Sequence, residues 1–121
     1  MQYDGKNLLW QRHYSFWQQI QDVNLTEIWK NTNSYVLIFW GEYDIEAFSQ
    51  SEHQTIVDIV NRYNSGKGTF KKLNATTHQF FTTTSILEGV KQKSDMSYMG
   101  KNFNPAIIDE TDKWIKEIIK K

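Results

Sequence analysis

The sequence predicts an α/β fold built around a small parallel sheet, and three observations carry that expectation. Six consecutive apolar residues, Tyr35 to Trp40, lie between the turn-forming Asn31-Thr32-Asn33-Ser34 and Gly41-Glu42-Tyr43-Asp44. A short apolar run between turn signals reads as a strand covered on both faces, as strands of parallel sheets are. A capped amphipathic segment follows, and then a second strand candidate, Gly68 to Leu73. Strand, helix, strand is the order of a βαβ unit, in which a helical crossover joins parallel neighbours.

Taken in order, Met1 to Leu9 shows neither a helix cap nor a strand pattern, and residues 1–11 are expected to be a flexible lead-in. Phe16, Trp17, Ile20 and Val23 recur at helical spacing and predict an amphipathic helix. A short helical turn is expected around Thr26 to Lys30. Trp10, Trp17 and Trp29 are of the residue type that builds sugar platforms, but their helical spacing assigns them to packing against the sheet or against parts outside the chain. Ser49 and Glu52 form an S-x-x-E capping box, in which side chain and backbone satisfy each other's orphan groups. Ile56, Ile59, Val60 and Tyr63 supply that helix's apolar face, and Asn64-Ser65-Gly66 ends it. Residues 74–104 are polar and irregular and read as a long loop, with one helical turn near Ile86-Leu87; loops of this length are functional or disordered. Asn104 then caps and Pro105 opens a last helix. Ile107, Ile108, Trp114, Ile115, Ile118 and Ile119 give it one apolar face.

Composition narrows the function classes. The 121 residues suit one domain or part of one, and 39% apolar and 15% aromatic content can fill a core. Fourteen basic residues balance fourteen acidic ones, so no net field selects nucleic acid. There is no apolar run long enough to span a bilayer. With zero cysteines, thiolate chemistry and disulfides are excluded. His13, His53 and His78 are too dispersed for a zinc signature, so no metal or cofactor is expected.

The candidate chemistry lies at one sheet edge. Ligands of open α/β sheets bind beyond the carboxyl ends of the strands. Asp44 follows Trp40 by four positions and His78 follows Leu73 by five, so parallel pairing brings both side chains to the same edge. An aspartate there can accept from histidine Nδ1–H, fix the tautomer and leave Nε2 free as a general base. Glu42 is a second candidate for the acid, though strand-to-turn geometry favours Asp44. Glu46 is read as a charged rim, and His53 as a solvent-exposed helix residue. Phe80 and Phe81 either line a pocket or belong to the core, with the core preferred.

These residues carry a resemblance. Tyr35 to Asp44, an apolar strand ending in Gly-x-x-Asp, resembles the penultimate strand and acid turn of the α/β-hydrolase fold. Leu73-Asn74-Ala75-Thr76-Thr77-His78-Gln79-Phe80 is similar to the segment after that fold's last strand, and the terminal helix follows in the same order. The resemblance implies a partial domain over residues 1–121, the C-terminal fragment of an α/β-hydrolase fold with few parallel strands flanked by helices. It implies Asp44 and His78 as acid and histidine of a Ser-His-Asp triad, in the family's chain order of nucleophile, acid, histidine. Thr77 departs from the Gly or Asp often found before the histidine.

The nucleophile is missing. None of Ser15, Ser34, Ser49, Ser51, Ser65, Ser85, Ser94 and Ser97 sits in a Gly-x-Ser-x-Gly elbow. The expected function is therefore that of the C-terminal segment of a serine hydrolase of esterase or peptidase type, inactive alone. Its partners would be the N-terminal part of the hydrolase domain bearing the nucleophile, and a small-molecule or peptide substrate. The second reading is a non-catalytic interaction or self-association module on a hydrolase scaffold. Open sheet edges and unburied helix faces lead to the expectation that the chain forms a homodimer.

Overall fold

The computed structural model describes residues 8, 9, 11–47 and 49–121. Its centre is a two-stranded parallel sheet: β3 (Val36–Gly41) pairs with β4 (Gly68–Leu73), with Val36 opposite Gly68 and Gly41 opposite Leu73. The crossover between them is α3 (Gln50–Tyr63), started where the Ser49 side chain accepts from Glu52 N–H. The chain is thus a mixed α/β protein with a small parallel sheet.

Side chains on successive strand residues point to opposite faces, and this places the helices. Gly68 faces α3: a Cβ there would lie 3.0 Å from the Val57 carbonyl, and the Gly68 N–H and C=O are both held by the Asn61 amide. Thr69 and Lys71 face the other way, onto α6 (Ala106–Ile119), where Trp114 Nε1 donates to Thr69 Oγ1 at 3.2 Å and Lys71 pairs with Glu110 at 2.7 Å. The sheet is covered on both faces. The buried face of α3 runs through Val57 and Val60, while Tyr63, expected on it, is 52% exposed.

Two parts of the chain depart from the sequence expectation. Leu8–Leu9 (β1) pairs antiparallel with Arg12–His13 (β2), so the lead-in carries a short hairpin. Residues 1–7 and Trp10 lie outside the described residues. The expected loop over 74–104 contains two helices, α4 (Ile86–Gln92) and α5 (Met96–Lys101). Both have side-chain caps: Ser85 Oγ accepts from Glu88 N–H, and Asp95 Oδ1 accepts from Tyr98 N–H. The first grows from the helical turn expected near Ile86-Leu87; the second, α5, is too short for a hydrophobic period and falls where a loop is expected.

Helices α1 (Tyr14–Gln21) and α2 (Leu25–Lys30) match the expected segments. Neither buries a residue fully. Trp17 donates to the Leu9 carbonyl at 2.9 Å, so α1 packs on the hairpin rather than on the sheet, and α2 packs on α3.

Candidate active site

The acid turn begins with a glycine whose position leaves no room for a side chain. A Cβ on Gly41 would collide with the Thr76 carbonyl oxygen, so glycine is what lets the loop after β4 close over the end of β3. Tyr43 N–H donates to that carbonyl at 2.8 Å, and Asp44 N–H turns back to Gly41 O at 3.0 Å. Asp44 is buried, at 8% exposure. Its Oδ1 accepts from the N–H groups of Glu46 and Ala47, both at 2.8 Å, an aspartate turn that closes on its own backbone. Trp40 Nε1 locks the turn to β3 by donating to Ala47 O at 3.0 Å.

The histidine arrives on a strained but heavily bonded loop. Ala75 and Phe80 on either side of His78 have φ of 50° and 61°, a region that costs a residue with a Cβ about 1–3 kcal/mol. Fixed partners hold them there. Ala75 N–H donates to Glu42 Oε2 at 2.9 Å, Thr83 N–H to Ala75 O at 3.0 Å, and Asn104 N–H to Phe80 O at 2.8 Å. Beneath the loop, Phe81 is fully buried and edge-on to Tyr98, so it is core. Asn104 Nδ2 donates to the buried Thr76 Oγ1 at 2.7 Å, tying the start of α6 to the same loop. Gly89 lets α4 approach, since a Cβ there would meet the Thr77 methyl at 3.0 Å.

The result is an Asp–His pair: His78 Nδ1 lies 2.9 Å from Asp44 Oδ2. Burial works against ionisation of Asp44, but the Ala47 N–H, the His78 ring and the Glu46 N–H outweigh it and hold the carboxyl below the usual carboxylate range. An ionised carboxylate only accepts, so Nδ1 must carry the proton. In the neutral ring the free lone pair is then on Nε2, and the half-exposed imidazole presents it outward.

The other candidates fall outside this pair. Glu42 points elsewhere: it binds Lys72 Nζ at 2.8 Å and the Ala75 N–H, which together hold its carboxyl low against a smaller opposing effect of burial. Its role is to brace the histidine loop. Glu46 Oε2 stands 3.7 Å from His78 Nε2, near but beyond hydrogen-bonding reach, while Gln79 donates to Glu46 Oε1 at 3.1 Å. His53 is half-buried and contacts the Ser49 carbonyl at 2.9 Å, a helix contact rather than free solvent exposure. His13 contacts Ser15 Oγ at 2.8 Å, but this is the exposed cap of α1, and among the described residues no carboxylate pairs with it. Among the described residues no serine contacts His78, and no group of His, Asp and Glu could hold a metal ion.

Sequence reasoning reached Asp44 and His78 but not their supports. The roles of Thr76, Asn104 and Gly89 depend on contacts between distant segments and left no local pattern. Gly41 did leave one, a glycine ending a buried strand, which signals a close backbone approach. Compared with known proteins, the chain matches no protein family, no curated protein and no solved structure.

Proposed function

We propose that this chain is the acid–base part of a serine hydrolase, the C-terminal portion of an α/β-hydrolase fold. It would act on ester or peptide bonds with a nucleophile from outside these 121 residues. The observation that carries the reading is the 2.9 Å contact between His78 Nδ1 and Asp44 Oδ2 at the carboxyl edge of a parallel sheet. The βαβ order, the acid before the histidine and the closing helix support it.

The chemistry follows from the geometry. Nε2 takes the proton of a serine hydroxyl as that oxygen attacks the substrate carbonyl, and returns it to the leaving group. Asp44 holds the ring orientation and balances the imidazolium charge without becoming protonated. Glu46 on the Nε2 side stands at the mouth of the site, where the hydroxyl must enter.

A serine-directed fluorophosphonate probe tests the reading. The 121-residue chain is expected to remain unlabelled, and a polypeptide that also carries the nucleophile is expected to label. Slower labelling after His78→Ala supports the assignment; unchanged labelling removes His78 from the mechanism. The second reading, a non-catalytic self-association module, is favoured by the apolar surface left open on α6.

A further inference from the structure

We propose that His78 is a nucleophile in its own right, so that the chain by itself cleaves activated aryl esters through Nε2, and that Glu46 directs it to esters carrying a positive charge. The route needs no serine from outside these 121 residues and stands whether or not the serine mechanism does.

A histidine attacks a carbonyl where it keeps an unshared electron pair and can carry the positive charge that bonding creates. The three histidines of the chain differ in both respects. His13 spends its pair locally: the Ser15 N–H only donates, so Nδ1 accepts from it at 3.3 Å and the proton of the neutral ring sits on Nε2. His53 is half-buried, with Nδ1 2.9 Å from the Ser49 carbonyl oxygen. A carbonyl only accepts, so His53 keeps its pair on Nε2, but a neutral partner does little for a cationic ring. His78 meets both conditions. The Asp44 carboxylate accepts from Nδ1–H at 2.9 Å, which leaves the pair on Nε2 and sets a full negative charge beside the imidazolium as it forms. Asp44 does not swing away, because its other oxygen is held by the Glu46 and Ala47 N–H groups. The ring is 45% exposed, open to a substrate arriving from solution.

Glu46 gives the preference its sign. Its backbone N–H closes the Asp44 turn, and Gln79, the residue after His78, donates to its Oε1 at 3.1 Å. The carboxylate is thus tied to both segments that build the pair, with Oε2 3.7 Å from His78 Nε2. Among the described residues no lysine or arginine pairs with it; Lys72, at the same end of β4, is bound to Glu42 at 2.8 Å. A carbonyl attacked at Nε2 therefore reacts beside a negative charge, which opposes the oxyanion developing on a neutral ester. A quaternary ammonium on the substrate offsets that charge. Two unit charges about 4 Å apart in water attract strongly enough to change a rate about fivefold.

Nε2 forms a bond to the ester carbon, the bond from that carbon to the aryl oxygen breaks, and the aryloxide leaves with its electron pair. No proton reaches the leaving group, which is why the ester must be an activated one. The ring is then an acyl-imidazolium, its Nδ1–H still donating to Asp44. Water adds to the acyl carbon, the electron pair of the carbon–nitrogen bond returns to Nε2, and the carboxylic acid departs with one water proton lost to solvent.

Release of p-nitrophenolate by the 121-residue chain tests this, with p-nitrophenyl 4-(trimethylammonio)butanoate and its uncharged isostere p-nitrophenyl 5,5-dimethylhexanoate as substrates. The chain is expected to exceed the buffer rate with both. His78→Ala should lose most of that excess with unchanged far-ultraviolet circular dichroism, while His13→Ala and His53→Ala keep it. His78→Gln, which still offers Asp44 a donor, serves if the alanine variant unfolds. The preference for the cationic ester should exceed that of free imidazole by about fivefold, and Glu46→Gln should return it to the imidazole value. A chain no faster than buffer, or a rate indifferent to both His78 substitutions, overturns the nucleophile. A wild-type preference equal to that of imidazole, or one that survives Glu46→Gln, overturns the selection for cationic esters.

Discussion

His78 and Asp44, 34 residues apart in sequence, meet at 2.9 Å through Nδ1 and Oδ2. The contact joins the turn after β3 to the loop after β4, and both turns are held by bonds that do not involve the pair itself. Asp44 is anchored by its own turn, His78 by Glu42, Thr76 and Asn104. The orientation of the imidazole is therefore built into the fold rather than left to side-chain rotamers.

Asp44→Asn should destabilise the chain. The carboxylate accepts three hydrogen bonds, two of them from backbone N–H groups, whereas an amide has one accepting atom. Leaving a buried donor unsatisfied costs about 1–3 kcal/mol, so urea denaturation should show a loss of that size. A loss under 0.5 kcal/mol would mean that the three hydrogen bonds accepted by the Asp44 carboxylate contribute little to the folded chain.

The same carboxylate sets an acid limb. Its pKa is depressed in the folded chain, so its stabilisation is fully present above the unfolded value and disappears as pH falls through the folded one. The stability gap between wild type and Asp44→Asn should stay constant from pH 7 to about 5 and shrink below about pH 4. Denaturation midpoints measured along that series provide the check, and a gap that widens in acid contradicts the assignment.

Gly41→Ala should damage both ends of the contact. The added methyl runs into the Thr76 backbone, which must shift and carry His78 with it. A cost of about 1–3 kcal/mol is expected, the range for overpacking at a closed site. In proton spectra the downfield resonance of the His78 Nδ1–H should weaken or vanish, as it should in His78→Ala.

Glu46→Gln should do neither. Its side chain is half exposed and its distance from Nε2 is 3.7 Å, so stability should change by less than about 0.5 kcal/mol. The downfield Nδ1–H signal should persist. Its loss would show that Glu46, and not the Asp44 turn alone, orients the ring.

The sequence made the sheet legible because β3 and β4 are local runs with their own boundaries. Ser49 and Glu52 announced α3 for the same reason. The edge at which Asp44 and His78 emerge followed from parallel pairing, which the strand–helix–strand order implies. What it left hidden lies in residues 74–104. There the helices are short and leave Ile86, Leu87 and Met96 exposed, so beyond the one turn expected near Ile86-Leu87 no apolar period marks them. The apolar face of α6 was legible, but not how much of it the sheet covers. At about 100° per residue its five isoleucines fall within about 120° of the helix, but Ile107, Trp114 and Ile118 on one side of that face are half-buried while Ile108, Ile115 and Ile119 on the other are exposed.

Turnover of an ester substrate by the polypeptide that joins these residues to the nucleophile tests the central claim most directly. His78→Ala is expected to lower kcat by about 10²–10⁴-fold, the contribution of a positioned general base, with folding retained because the ring is half exposed. An unchanged kcat in a folded His78→Ala protein would contradict the account.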